Sequence, residues 1–345
     1  MKQNRILILL CLIIFSSTLF SQNKIDENGQ KQGYWTKSDK KGNRLYEGQF
    51  KDNYEIDTFK YYYEDGKTIK MINVFSSKGK NIFNEIFNND GQLISRGYYK
   101  NKKRDSIWTY FSSEGYKIGE ERYRNGLKNG ESNFWDRDTT LVETINYKDD
   151  LKDGLYYRNT YAKGYYFYTY KNNKRNGPYE DFYYYNKIKI KGHYVDDKKE
   201  GEFLYFDSIG DIVKKQKWEN DVLLSEEVLL DIIGNKRMVP SKDIAYFYQK
   251  GKQLSLTLFS GETILCVNNI DNLLDLLTEN ELILLNNKLK LYANINAIKG
   301  VGEKQGEFYE IILSPKPNIK IFSDKESTKA IETIFLLPAT PATGF

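Results

Sequence analysis

Sulfur, histidine and net charge are scarce in this 345-residue chain, and each shortage excludes something. The one histidine, His193, stands beside Tyr194 with no second ligand type near it in sequence. That removes the commonest general base, and no spacing of His, Cys and carboxylates reads as a metal site. Of two cysteines, Cys11 belongs to an N-terminal apolar run, so only Cys266 is left for the body of the protein. A single thiol closes no intramolecular disulfide. Cys266 lies in Thr263-Ile264-Leu265-Cys266-Val267 and reads as a small buried hydrophobe. The formal charge is +5, and it falls to +3 without residues 1–22, which hold Lys2 and Arg5 and no acid. So mild a balance does not require a polyanion. No cofactor motif and no nucleophile with a base partner is visible. Asp and Glu recur in every repeat, so a carboxylate pair for glycoside cleavage has nothing to single it out.

What the chain has is tyrosine, 29 of them, with 19 Phe and 25 Gly. This mixture suits half-buried strands and tight turns. The N-terminus is separate in character. Lys2 and Arg5 precede the apolar run Ile6 to Phe15, and small polar residues lead to Ser21 and Gln22. This is the pattern of a secretory signal peptide, residues 1–22, cleaved near Ser21/Gln22. The run is too short for a comfortable transmembrane span. The expected address is outside the cytosol: periplasm, outer-membrane surface or medium.

From residue 23 to about 225 the chain repeats. A glycine or turn residue recurs at Gly33, Asp57, Asn81, Ser106, Gly130, Gly154, Gly177 and Gly201. A second aromatic recurs at Phe50, Phe75, Tyr99, Tyr123, Tyr147, Tyr170, Tyr194 and Trp218. Both advance by 23–25 residues, which gives eight units of about 24. Each unit is too short for a helix pair and carries Asn-Gly, Asp-Gly or Lys-Gly between aromatic and β-branched runs, so each is a β-hairpin. A lone hairpin cannot cover its rings, and stacked copies can. The fold class is therefore mainly β: an elongated antiparallel hairpin array, then a small mostly-β domain with one helix. The opening aromatics Trp35, Phe59, Phe83, Trp108, Tyr156, Tyr179 and Phe203 are expected to form the inward ladder. Unit five slips: Ser132 takes that place and Phe134-Trp135 follow. Tyr61, Tyr63, Tyr183 and Tyr185 are extra, and are the better candidates for a sugar or peptide groove. The lysine-rich turns Lys100–Arg104 and Lys171–Arg175 read as solvated tips, with a basic stripe for anionic lipid or polysaccharide as the sharper alternative.

Tyr46-Glu47-Gly48-Gln49-Phe50, Glu121-Arg122-Tyr123-Arg124-Asn125-Gly126 and Lys191-Gly192-His193-Tyr194 give this array its family likeness. It resembles bacterial MORN-variant repeats over about residues 30–225. The resemblance implies the hairpin fold. Relatives are often labelled antitoxins, or associated with membranes and scaffolds. Export fits the antitoxin label badly.

After Trp218 tyrosine thins and Leu, Ile and Asn rise, marking a second domain at 226–335 and a loose tail at 336–345. Strands are read at 244–248, 254–258, 263–267, 282–285, 289–295, 308–313 and 319–322. Ile270, Leu273, Leu274 and Leu277 have helical spacing, with Asn269 or Asp271 as cap and Asn280 as stop. Val239-Pro240-Ser241-Lys242-Asp243-Ile244, Ser260-Gly261-Glu262-Thr263 and Tyr292-Ala293-Asn294-Ile295-Asn296-Ala297-Ile298-Lys299 are similar to the LytTR DNA-binding domain, over about 236–328. That resemblance implies a small β domain. The family's arginine before the Asn-Ile segment is replaced by Lys288-Leu289-Lys290. From Val228 onward 13 basic residues meet 13 acidic ones, and Arg237 is the lone arginine. A neutral, exported domain with one arginine argues against duplex reading. The expected function is a non-enzymatic binding or scaffold protein for a protein, envelope polysaccharide or membrane surface. The alternatives are a LytTR-type DNA-binding regulator, should the N-terminus not direct export, and a carbohydrate-active enzyme.

Overall fold

The computed structural model describes residues 23–278, 282–306, 308–315 and 319–331. The expected leader, the helix stop at Asn280 and the tail at 336–345 lie outside the described residues. The chain forms two compact units, one of residues up to 160 with 167–174, the other of 161–166 with 175 onward. The division crosses the sixth hairpin.

Antiparallel strands follow one another in sequence as eight hairpins, from Lys31–Ser38 with Arg44–Lys51 to Gly201–Phe206 with Ile212–Glu219. Successive hairpins are joined by tight turns in which both central residues have positive φ, as at Asp52-Asn53, Asp149-Asp150, Asn172-Asn173 and Asp196-Asp197. Asn and Asp tolerate that conformation and their short side chains bond locally, which is why they fill these turns. The second turn residue also reaches one repeat back. The Asn173 amide donates to the Lys152 carbonyl at 2.9 Å, and Asn173 Oδ1 accepts from the Lys152 amide at 2.8 Å. Asn53 does the same to Lys31, Asp150 to Lys128, Asp197 to Arg175 and Asp221 to Lys199. The acids and amides of these turns are thus inter-repeat staples. Asn173→Ala is expected to cost about 1–2 kcal/mol, from the left-handed backbone and the lost bond. Asn173→Gly, which keeps the backbone free, should cost less; thermal melts of the two variants check the order.

On one face a single row of side chains runs across the strands of the first unit: Trp35, Gly48, Phe59, Asn73, Asn84, Gly97, Trp108, Glu121, Ser132, Ile145 and Tyr156. The second aromatics interleave with it edge to face: Phe50 meets Phe59 at 5.1 Å and Phe75 meets Phe59 at 5.3 Å. Such pairs add to area burial. In the second unit Tyr194 is wedged between Tyr179 and Phe203 in the same way. The expected ladder is therefore present, with one correction. Phe83 is not in it. The usual opener sits at positive φ and makes a bulge, as Asp57, Ser106 and Gly154 do; Asn81 does not. Unit three is consequently shifted by one residue, Ile82 pairs with Tyr99 and Asn84 with Gly97, and Phe83 is turned to the opposite face.

The ends of the array are covered. Lys24–Ile25 pairs with Lys31 and Gln32, shielding part of the first edge. At the other end the 11-residue strand Val222–Ile232 pairs with the last hairpin and with Asn235–Pro240, and touches Cys266 through Ile232. The strands at 244–250, 253–258, 263–266, 282–286 and 291–294 continue from there, and 298–305, 308–313 and 319–322 form a small separate sheet. Strand 244–250 is buried on both sides: Ile244 and Phe247 enter one core, Ala245 and Tyr246 another. The helix spans Ile270–Leu276, and Asn269 caps it by accepting from the Asp271 amide. A second short helix, Lys325–Ile331, was not read from the sequence. Cys266 is fully buried, and burial pushes its thiol up to about 11.

Candidate functional site

Three kinds of chemistry-bearing residue stand out: cations over the ladder, polar insertions within it, and aromatics on the face opposite. The cations come from one repeat position, two residues before each opener. Lys31 lies 4.8 Å from the Trp35 ring, Arg104 4.2 Å from Trp108, Arg175 4.1 Å from Tyr194 and Lys199 4.1 Å from Trp218. Their stems cover ring edges while their heads remain half exposed. Glu55 takes this position in unit two; burial raises its carboxyl, against the pull of Lys102 and Lys31. These residues close the hydrophobic stack, so of the basic turns read from the sequence Arg104 and Arg175 are tied to rings, while Lys100, Lys102, Lys103, Lys171 and Lys174 are exposed.

Two pairs of ladder positions are polar. In the ordinary repeat a glycine sits under the ring eleven residues later. A Cβ on Gly48 would lie 2.4 Å from Phe59, one on Gly97 2.4 Å from Trp108, and one on Gly192 2.4 Å from Phe203. At two places both glycine and ring are replaced: Asn73 meets Asn84, and Glu121 stands opposite Ser132 by continuation of the Asn133–Glu120 register, whereas Ile145 replaces the glycine and still faces the Tyr156 ring. Glu121 Oε2 accepts from Tyr110 at 2.6 Å and from Tyr123 at 2.7 Å, and Oε1 accepts from Lys128 at 2.5 Å. Arg104 donates to both hydroxyls at 3.1 Å. Burial raises the Glu121 carboxyl, but Lys128 and the two hydroxyls outweigh it and hold the group below the usual range. Tyr110 is raised by burial and by its bond to Glu121. The carboxylate's oxygens are occupied, so it is a structural centre and not a waiting base. A lowered carboxyl adds stability that is present above its ordinary 4.5 and is lost as pH falls through its own value. Glu121→Gln should therefore flatten the acid limb of a stability-against-pH curve below about pH 4.5. Within the second unit, Glu226 accepts from Gln216 at 2.7 Å and bonds Thr278, beside the buried Lys214, whose ammonium is lowered by burial against the pull of Glu226.

The face opposite the ladder carries the remaining candidates. Phe83, displaced by the slip, meets Tyr98 at 5.0 Å with the rings inclined by 50°, next to Val74. Further along, Glu131, Asn133 and Trp135 alternate with the inward Ser132. With Thr144, Leu155, Tyr157 and Phe167 they line a trough of about 540 Å³. Its floor is a chain of bonds: Thr144 donates to Asn133 Oδ1 at 2.7 Å, and Asn133 Nδ2 donates to Glu131 at 2.5 Å. Lys117 stacks on the Trp135 indole at 3.9 Å.

Of the tyrosines singled out in the sequence, Tyr61 packs in the inner cluster with Phe59 and Tyr46. Tyr63 and Tyr183 are ties between hairpins, donating to the carbonyls of Phe87 and Phe206 at 2.6 and 2.9 Å. Only Tyr185, stacked on Tyr183, is largely exposed, and its neighbour Tyr184 more so. The four do not form one groove. The Trp135 trough was missed although the slip at Ser132 announces it: a unit that breaks phase inside frees residues for the outside. His193 is exposed on its strand. Among the described residues, no three His, Cys, Asp or Glu side chains gather as for a metal, and no helix is long and apolar enough to cross a membrane.

No family model and no curated protein matches the chain. Among solved structures, part of it is similar to the LytTr DNA-binding domain of a Bacillus cereus protein described as a methyl-accepting/DNA response regulator. That match has a TM-score of 0.28 and 14% identity, and covers 32% of this chain and 97% of that one.

Proposed function

We propose that this is an exported, non-enzymatic binding protein, a MORN-like array whose outer face engages a component of the cell envelope, with a LytTR-like domain closing its C-terminal end. One observation carries the reading. Val74, Phe83 and Tyr98 lie side by side outside the inner ladder of the first unit, and so does the trough at Trp135. Tyr98 is 50% exposed and Val74 40%. Exposed apolar side chains clustered outside a core mark a surface meant to be covered. The regulator reading gains nothing from the C-terminal residues. Arg237 is held by Glu262 at 2.5 and 3.2 Å, so the arginine that base readout needs is engaged.

The test is co-sedimentation of the mature protein with isolated envelopes, together with N-terminal sequencing of the protein recovered from cell fractions. The expected result is a new N-terminus near Gln22 and saturable sedimentation that Tyr98→Ser with Val74→Ser reduces without lowering the melting temperature. Recovery from the cytosol with Met1 intact would overturn it.

A further inference from the structure

We infer that the Trp135 trough is a binding subsite for one neutral pyranose ring of a glycan chain; this rests on the envelope-binding reading and names its ligand class.

The indole N–H groups point to it first. Trp35 donates to the Gln32 carbonyl at 3.1 Å, Trp108 to the Tyr98 carbonyl at 3.1 Å and Trp218 to Gln216 Oε1 at 3.2 Å. The Trp135 N–H donates to nothing among the described residues, and Trp135 lines the trough. Two further polar groups lie on the same floor. Asn133 uses one amide hydrogen on Glu131 and keeps the other, and Glu131 spends one oxygen on that bond. Two donors and an acceptor thus sit among the rings of Trp135, Tyr157 and Phe167. The chemistry that satisfies both is a ring with apolar C–H faces and equatorial hydroxyls. The volume is that of a small-ligand cleft.

Other occupants fit less well. An extended peptide is held by main-chain hydrogen bonds at a sheet edge. Here strands 130–135, 141–148 and 151–159 already pair with one another, so their backbones offer nothing. An anionic sugar or phosphate would meet the Glu131 carboxylate, and no cation lines the trough. Lys117, the cation stacked on the indole, is bridged to Glu120 at 3.3 Å. A neutral ring is what remains.

The floor is built by the fold. Thr144, only 6% exposed, pairs across the strands with Asn133 on one side and Tyr157 on the other. With Trp135, Leu155, Tyr157 and Phe167 standing around it, the short Thr144 side chain leaves a depression in the sheet face. The bulge between Phe134 and Trp135 sets the indole at the end of this depression.

The experiment is calorimetric titration of the full mature chain with cellohexaose, chitohexaose and maltohexaose, and with heparin as the acidic control. At least one neutral hexamer should bind saturably and heparin should not compete with it. Trp135→Ala should weaken that binding at least about tenfold, and Asn133→Ala and Glu131→Gln each about threefold, scaled from one aromatic contact and one hydrogen bond. The melting temperature of Trp135→Ala should stay that of the parent. Absence of saturable binding by all three hexamers, or binding that Trp135→Ala leaves unchanged, would overturn the inference. Envelope sedimentation is run in parallel to separate the two readings. Sedimentation and hexamer binding that both survive Trp135→Ala remove the subsite and keep the envelope function. Hexamer binding without sedimentation keeps the subsite and removes that function.

Discussion

Gly97→Ala should lower the stability of the first unit by about 2–3 kcal/mol, the range for forcing extra volume into a packed core. Two effects compete. Alanine restricts the unfolded chain and by itself would stabilise by about 0.4–1 kcal/mol. Against this, the new methyl lies 2.4 Å from the Trp108 ring, which is fully buried and anchored through its N–H to the Tyr98 carbonyl. The ring cannot turn away without breaking that bond, so the clash wins. For a unit of this size the loss corresponds to roughly 5–10 °C in melting temperature. Gly192→Ala should act alike in the second unit, where Phe203 lies 2.4 Å away. Gly300→Ala is the control, because its methyl meets Ile312 at an ordinary 3.7 Å. It should be neutral or mildly stabilising. Equal melting temperatures for Gly97→Ala and Gly300→Ala would show that the ring does not rest on the glycine.

The same glycines show how far the sequence could be read. The period, the hairpins and the inward side were legible because Asn and Asp at paired turn positions, and an aromatic at fixed phase, leave few other conformations. The slip at unit three was not. It depends on whether one residue adopts positive φ, and Asn81 is as able to do so as Asp57; the backbone decides it. Beyond residue 225 the aliphatic strands and the helix capped by Asn269 were legible. Strand 298–305, with its two irregularities in register, has no clean alternation to reveal it. Nor could the period say which tyrosines face outward. Tyr63 and Tyr183 looked free in sequence because their hydroxyl partners, Phe87 and Phe206, are backbone carbonyls one repeat away. The outer trough is set by Thr144, a residue too ordinary to be noticed until its large neighbours are placed.

Residues eleven apart exchange volume in several repeats, though not at Ile145 and Tyr156, which are both large. Gly48 goes with Phe59, Gly97 with Trp108 and Gly192 with Phe203, whereas Glu121 goes with Ser132. If this is one packing rule, the exchange can be reversed. Ser132→Phe alone sets a ring on an occupied site and pushes Glu121 off Tyr110, Tyr123 and Lys128, and should cost about 3 kcal/mol or more. Glu121→Gly alone leaves Lys128 and the two hydroxyls without their acceptor and opens a void, at about 2–4 kcal/mol. The Glu121→Gly/Ser132→Phe double variant restores the pairing found at Gly48 and Phe59. It also relieves Ser132 Oγ, which is fully buried with no hydrogen-bond partner among the described residues. The double variant should therefore be more stable than either single one, with a coupling of about 2 kcal/mol or more. Denaturant titrations of the four proteins measure it. Additive losses would mean that the two positions do not share a space, and that the carboxylate centre and the missing ring are separate accidents of this repeat.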